Sequence, residues 1–275
     1  MKIVLRKKDS VTSIILFIFN VYSEITGRYS IRLAELIKMM MNFDKNETAI
    51  RMGLSRMVKA GVLVNKTIQD DVYYQITEEG LAFIHTWNTG LKRFFNRYEN
   101  RHKNWDERWF CINLLDFSKT EEENQWVVEE LRELGMTEIN SGTWIAPFDA
   151  KTEIEEILSK TKSTYLIIHG SIETNGDIKL LISDLYDMKL LRKKYDDFVQ
   201  FAKETENKLD NLKVNVGGCL PALFELGWKY YDAAVIDPAL PIQFFDEWEG
   251  DRAFSSFVKL RSLLIDGVKT YIKDL

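Results

Sequence analysis

The sequence contains few of the residues that build metal centres and disulfide scaffolds. It has two cysteines, Cys111 and Cys219, and three histidines, with no CxxC pair and no two histidines four residues apart. Zinc ribbons and disulfide frameworks require such spacings. We therefore expect neither a metal ion nor another cofactor, and two reduced thiols are typical of a cytoplasmic protein.

Proline and glycine are also scarce, with 4 and 14 in 275 residues, which excludes collagen-like and low-complexity chains. The apolar share of 45% is enough for a sizeable core. The apolar run Ile14–Val21 follows the basic start Met1–Lys8 but is far shorter than the ~20 residues that span a bilayer. Since no small-residue cleavage site follows it, the run predicts a buried first helix, not a signal peptide or membrane anchor.

Charge is distributed unevenly along the chain. Residues 1–103 contain 17 basic and 10 acidic side chains, a net charge of +7, whereas residues 104–275 contain 20 and 32, a net charge of −12. A basic N-terminal segment on an acidic body indicates an anionic partner for the first segment only. Nucleic acid is the commonest partner of this kind.

The N-terminal hundred residues show the pattern of a winged helix-turn-helix. Apolar periodicity and capping residues predict three short helices, a β-hairpin and a longer helix, at 11–22, 31–41, 45–60, 62–64 with 72–76, and 78–98. Three helices followed by a hairpin are the elements of that fold.

The middle of the chain changes period. Strands and helices are predicted in the order β-α-β-β-α-β, at 109–117, 121–134, 136–140, 143–147, 152–158 and 165–169. This order is typical of a ferredoxin-like domain. Beyond it a long helix is predicted over 188–208. We therefore predict an α+β protein with a winged helix-turn-helix domain (1–100), a ferredoxin-like domain (101–185) and a C-terminal helical domain (186–275).

The third predicted helix has two different faces. On a helical wheel its apolar residues Ile50, Leu54, Met57 and Val58 cluster on one side. The opposite side and its flanks carry the residues that a recognition helix presents to base edges and phosphates. With the one cation of the hairpin, the candidate DNA-binding residues are Lys45, Thr48, Arg51, Met52, Ser55, Arg56, Lys59 and Lys66.

An ordinary α-helical domain with a basic, solvent-facing helix is the alternative to DNA binding. The hairpin favours DNA binding less than the helix does, because its tip carries Asp70 and Asp71, which phosphates repel. Either the hairpin contacts DNA elsewhere, or it serves only the fold of the protein.

Several segments in consistent order resemble the PaaX-type transcriptional regulators, repressors of phenylacetate catabolism. These segments are Ala49–Gly61, Tyr73–Gly80, Trp105–Trp109, Leu134–Gly135, Gly142–Pro147, Asp237–Pro241 and Trp248–Gly250. The resemblance implies a dimeric repressor, not an enzyme, that binds a double-stranded operator and is released by an aryl-CoA thioester such as phenylacetyl-CoA. Two features depart from the family pattern: the hairpin is not basic, and Tyr230-Tyr231 after Lys229 replaces a Tyr-Arg pair.

For such an effector the acidic body must supply cationic and aromatic groups. The candidates are Arg108, Trp109, Trp144 and Trp228, with the helix face of Lys189, Arg192 and Lys193 as a second cationic patch. The alternative is that the tryptophans fill domain interfaces and that Arg108 forms a salt bridge.

Two further functions stay open from the sequence. A metal-dependent ferredoxin-like nuclease would use Asp116, at the end of the first ferredoxin-like strand, although a turn aspartate is the explanation that we favour for that residue. A winged helix can also serve as a protein-interaction module, which would show no salt-dependent DNA binding.

Overall fold

The computed structural model describes residues 8–115, 121–161, 163–209, 215–245 and 247–275. The protein is an α+β fold with two small antiparallel sheets and a helical C-terminal part. Asp116 lies outside the described residues. None of the described helices combines the length and apolar character that crossing a bilayer requires.

The N-terminal part follows the predicted order of elements, with one addition. Its elements are α1 (Val11–Thr26), β1 (Ser30–Arg32), α2 (Leu33–Met41), α3 (Glu47–Lys59), β2 (Leu63–Ile68), β3 (Asp71–Ile76) and α4 (Glu78–Arg101). The addition is β1, which occupies the start of the helix predicted from residue 31. It pairs with β3, so that the hairpin becomes a three-stranded sheet of order β1-β3-β2.

The middle part contains the predicted alternation of strands and helices. Its elements are β4 (Trp109–Leu114), α5 (Glu121–Glu133), β5 (Thr137–Asn140), β6 (Thr143–Ala146), α6 (Lys151–Leu158) and β7 (Tyr165–Gly170). They form a four-stranded sheet of order β5-β6-β4-β7 in which every neighbouring pair is antiparallel. One face packs on α5 and α6 through a core that includes Phe110, Ile112, Leu131 and Trp144.

The C-terminal part is helical, as predicted. Its helices are α7 (Ile178–Leu185), α8 (Met188–Asn207), α9 (Cys219–Ala234) and α10 (Glu249–Lys273), with short 3-10 turns at Val216–Gly218 and Ile242–Phe244. Cys111 and Cys219 form no disulfide.

The chain forms two compact units that do not follow its linear order. The first unit comprises Met1–Asn88, Phe198–Tyr230 and Phe254–Leu275, and the second comprises Thr89–Asp197 and Tyr231–Ala253. The first unit thus combines the N-terminal helices and hairpin with parts of α8, α9 and α10. The division into three consecutive domains stays a prediction.

Candidate nucleic-acid interface

Helix α3 has well-defined ends. The Asn46 side chain caps the first turn by accepting a hydrogen bond from the Ala49 N–H at 2.8 Å. After Lys59 the chain leaves the helix through Gly61, whose φ of +77° lies in the left-handed region that favours glycine. These two signals fix the length of the helix.

The back of α3 is buried within the first unit. Ile50, Leu54 and Met57 are completely buried, which confirms the predicted apolar face, and Val58 is half-buried. Gly53 lies on the same face where α3 approaches α1. A Cβ at this position would lie 2.4 Å from Cγ1 of Val11. The missing side chain therefore sets how closely the two helices pack.

The front of α3 is open to solvent. Of the eight residues proposed to contact DNA, only Lys45 is half-buried; the exposed ones are Thr48, Arg51, Met52, Ser55, Arg56, Lys59 and Lys66. On α3 itself, small, polar and cationic groups thus share one exposed face. Their contact with DNA stays a prediction.

The two arginines of this surface are held only weakly. Arg51 forms an i,i+4 ion pair with Glu47, with Nη2 and Oε1 2.6 Å apart. Arg56 Nε donates to the Met52 carbonyl at 3.4 Å. An exposed ion pair of this kind contributes only about 0.3–0.5 kcal/mol, and the Arg56 contact is a single long hydrogen bond. Both guanidinium groups can therefore exchange these contacts for a phosphate or guanine at small cost.

One of the two carboxylates at the tip of the hairpin has a cationic partner. Ile68 pairs with Asp71, and Gln69 and Asp70 form a two-residue turn with φ of +46° and +69°. Two positive φ angles are typical of a type I′ turn, in which Asp is a favoured residue. Asp71 forms an ion pair with Arg32 of β1 at 3.1 Å. Both carboxylates stay at the tip, and the ion pair reduces the repulsion of a phosphate by Asp71 only in part.

The turn between α2 and α3 is anchored by helices from the end of the chain, which the sequence did not reveal. Asn42 Nδ2 donates to the Tyr271 hydroxyl of α10 at 2.8 Å. Phe43 packs edge-on against Phe224 of α9, and Phe17 of α1 packs against both rings. An aromatic residue within a connector was the only signal, and it does not identify its partner.

The residues proposed for the effector differ in accessibility. Trp144 exposes none of its surface and lies in the core of the second unit beneath the Arg132 guanidinium, so a ligand reaches it only if that core opens. Trp109 is buried against Trp105 and Phe244.

The other two effector candidates remain more open. Arg108 is exposed, and its Nη2 donates to the His169 carbonyl at 3.3 Å. Trp228 is half-buried in the first unit beside Phe224. On the second cationic patch, Arg192 forms an ion pair with Glu249 and lies over the rings of Phe245 and Trp248.

The second unit also contains buried ionic groups around the segment Asp237–Pro241. The Asp237 carboxylate accepts hydrogen bonds from the Tyr195 hydroxyl at 2.5 Å and the Ala239 N–H at 2.7 Å. Arg97 of α4 is buried and donates to the Asp237 and Glu133 carbonyls. Burial raises the pKa of Asp237 and lowers that of Arg97 to about 10.

A second buried arginine of α4 binds the same segment. Arg101 donates from Nε to the Leu240 carbonyl at 2.8 Å and forms an ion pair with Asp251 at 2.6 Å. These contacts give the Asp237–Pro241 motif a structural role. Among the described residues, no group of three or more His, Cys, Asp or Glu side chains is placed to hold a metal ion.

The comparisons with known proteins concern the same N-terminal segment. Residues 10–80 match the profile of the family described as PaaX-like protein. The resemblance to PaaX is confirmed for this segment, which contains α1, α2, α3 and the hairpin. PaaX-like proteins are associated with transcriptional regulation.

No curated protein matches the chain. Among solved structures, the uncharacterized protein Rv0674 from Mycobacterium tuberculosis is similar with a TM-score of 0.60 and 16% identity, covering 94% of this chain and 97% of that one. At this identity the likeness concerns the fold alone, and it extends well beyond the PaaX-like segment.

Proposed function

We propose that this protein is a transcriptional repressor that binds double-stranded DNA, with α3 as its recognition helix. The observation that carries the proposal is the division of α3 into a buried back and an exposed front. That front lies in the segment that matches the PaaX-like family. A helix held by its apolar face and free on its basic face is what insertion into the major groove requires.

The roles of the front residues follow from their chemistry. Arg51 and Arg56 are proposed to bond bidentately to guanine or to phosphate. Thr48, Met52 and Ser55 are small or apolar enough to approach base edges. Lys45, Lys59 and Lys66 are proposed to contact phosphates, which position the protein without reading sequence.

The proposed architecture comprises a winged helix-turn-helix domain (1–100), a ferredoxin-like domain (101–185) and a helical domain (186–275). The antiparallel order β5-β6-β4-β7 supports the second assignment, because it inserts the third strand between the first and second. Two-fold dimers are the commonest oligomers. We propose a dimer on an inverted repeat with half-sites ~10–10.5 bp apart or a multiple of that.

DNA binding is tested by anisotropy on a duplex selected from a random library, against a scrambled duplex. We expect Arg51→Ala and Arg56→Ala each to weaken binding by about 1–3 kcal/mol, and the salt dependence to fall by about 0.9 per lost phosphate contact. Arg252→Ala, which removes an exposed arginine of α10, is the matched control and should bind normally. Unchanged affinity in a folded Arg51→Ala/Arg56→Ala variant contradicts the proposal.

Release of the repressor from DNA by an aryl-CoA thioester is proposed on the family resemblance. Exposed Arg108 is the candidate for a CoA phosphate. Half-buried Trp228 is the accessible candidate for the aryl group, whereas buried Trp109 and Trp144 would contact it only if their surroundings opened. Operator binding is measured with phenylacetyl-CoA, phenylacetate and CoA added separately. We expect only the thioester to weaken it, and no effect of any of the three means that the effector is different.

The same duplex distinguishes the alternatives. It should stay intact with Mg²⁺ or Mn²⁺, whereas cleavage would favour the nuclease. Absence of salt-dependent binding to any selected duplex would favour a protein-interaction module.

A further inference from the structure

The two edge strands of the four-stranded sheet differ in how they are protected from pairing with another strand. At one edge, β5 is a four-residue strand that carries Glu138 and a register irregularity between Glu138 and Asn140. Helix α7 lies beside it, with Thr137 Oγ1 donating to the Leu185 carbonyl at 2.9 Å. A charge, a bulge and a covering helix are the devices by which proteins prevent a strand edge from pairing further.

Over residues 165–168 the other edge has none of these devices within the described part of the chain; at its end, Arg108 donates to the His169 carbonyl at 3.3 Å. Strand β7 has the sequence Tyr-Leu-Ile-Ile-His-Gly, without lysine, acid or proline, and pairs with β4 in one unbroken register. Natural proteins seldom leave a regular, six-residue, apolar edge strand open to solvent.

The backbone groups that β7 turns outward can be identified. The Leu115 N–H donates to the Thr164 carbonyl, and the register then directs the polar backbone groups of residues 166, 168 and 170 towards β4. Those of Tyr165, Ile167 and His169 therefore point away from the sheet. In the described part of the chain, Arg108 donates to the His169 carbonyl, and no hydrogen bond reaches the outer groups of Tyr165 and Ile167.

Two apolar side chains extend the same surface. Leu166 and Ile168 are 52% and 59% exposed and lie on the face of the sheet opposite the α5–α6 core. They alternate with Tyr165 and Ile167, which pack against that core. An open backbone edge and an exposed apolar pair thus occur on one strand.

We infer that the β7 edge binds the β7 edge of a second copy of this chain, antiparallel and across a two-fold axis. With Ile167 on the axis, each outward residue meets an outward residue: Tyr165 faces the partner's His169. On the exposed face, Leu166 then faces the partner's Ile168 at a non-hydrogen-bonded position, where side chains approach most closely. The outcome is one continuous eight-stranded sheet.

Charges flanking β7 favour this orientation. Exposed Lys160, which also forms an i,i+4 ion pair with Glu156 of its own chain at 3.9 Å, precedes the strand, and exposed Glu173 follows it. Antiparallel pairing brings Lys160 beside the partner's Glu173, whereas parallel pairing would bring like charges together. A strand whose basic flank precedes it and whose acidic flank follows it is complementary to an antiparallel copy of itself.

The inference deepens the proposed dimeric repressor and rests on that assembly, but its test needs no DNA. Sedimentation velocity of the full chain at micromolar concentration should give a dimer. Ile168→Lys places a charge on the exposed face of the edge and should give a monomer that remains folded by circular dichroism. Leu180→Lys, at a 66% exposed leucine of α7 in the same unit, is the matched control and should remain dimeric.

A cross-linking experiment fixes the register. In a Cys111→Ser background, Leu166→Cys and Ile168→Cys variants are oxidised separately and as a mixture. We expect a disulfide-linked dimer mainly in the mixture, since residue 166 faces residue 168 of the other copy.

Each result separates the two levels of the proposal. A monomeric wild-type protein overturns both the interface and the dimer. A dimer that survives Ile168→Lys, or that does not cross-link in the mixture, overturns the β7 interface and leaves the dimeric repressor intact. Loss of DNA binding by Arg51→Ala/Arg56→Ala is measured independently of these results.

Discussion

Among single residues, Asp237 is a buried carboxylate that depends closely on its hydrogen-bond partners. Its carboxylate is buried, and its partners are the Tyr195 hydroxyl, the Ala239 N–H and nearby buried Arg97. Removing one member of such a group leaves the others buried without compensation. We expect Asp237→Ala to lower the free energy of unfolding by about 3–5 kcal/mol, measured by urea denaturation. Asp232→Ala, at an exposed aspartate paired with Lys194, is the control and should cost far less.

The direction of the pKa shift of Asp237 determines how its contribution to stability changes with pH. Burial raises its pKa, so the folded protein holds the proton more tightly than the unfolded chain, in which Asp titrates at ~3.9. The stability contributed by Asp237 is therefore complete below ~3.9 and is lost as pH rises through the folded pKa. The stability difference between wild type and Asp237→Asn should fall as pH rises above ~4. A difference that grows with pH would mean that the ionised form is favoured by folding.

At the scale of elements, α3 depends on the contact between Gly53 and Val11. A methyl group at position 53 would meet a β-branched side chain that a helix holds in one rotamer. We expect Gly53→Ala to displace α3, to lower the free energy of unfolding by about 1–3 kcal/mol and to weaken DNA binding. The better helix propensity of alanine offsets at most about 1 kcal/mol of that loss.

The control for this prediction is a second substitution. Val11→Ala removes the Cγ1 atom that the new methyl group meets, so the double variant should regain stability and DNA affinity relative to Gly53→Ala alone. If Gly53→Ala is equally impaired with and without Val11→Ala, the close helix contact is not the cause.

The sequence predicted those elements whose signals are local. The 3.6-residue period of Ile50, Leu54 and Met57 located α3 and its buried face. Local apolar patterns likewise located the strands and helices of the middle part. The sequence missed β1, because three residues are too few for an alternating pattern. It also could not indicate that Trp144 lies in the core, since tryptophan occurs both in cores and at ligand sites.

At the scale of the whole molecule, sequence order and spatial grouping diverge. Residues 1–100 were predicted as a domain, yet Phe17 and Phe43 pack against Phe224, and Asn42 binds Tyr271. Such contacts between distant parts of the chain leave no periodic trace in the sequence. They depend on the shapes of three segments that meet only after folding.

These contacts predict how a fragment behaves. A protein comprising residues 1–100 should unfold at a lower urea concentration than the full chain and bind the dye ANS, because Phe17 and Phe43 lose their partners. Phe43→Ala in the full chain tests the same contact without truncation. It should lower the free energy of unfolding by less than the ~3–5 kcal/mol typical of a buried phenylalanine, because this ring is only half-buried. A fragment as stable as the full chain would show that the distant segments contribute nothing.

The grouping of Met1–Asn88 with Phe254–Leu275 has a consequence for synthesis on the ribosome. The chain emerges from its N-terminus, so α1, α2, α3 and the hairpin are made long before the helices that complete their unit. Until α10 has emerged, Asn42 lacks Tyr271, and the turn that leads into α3 lacks one of its anchors. A nascent chain that has not yet reached α10 therefore presents an incompletely supported α3, and the DNA binding proposed for α3 should be weaker at that stage than in the completed unit.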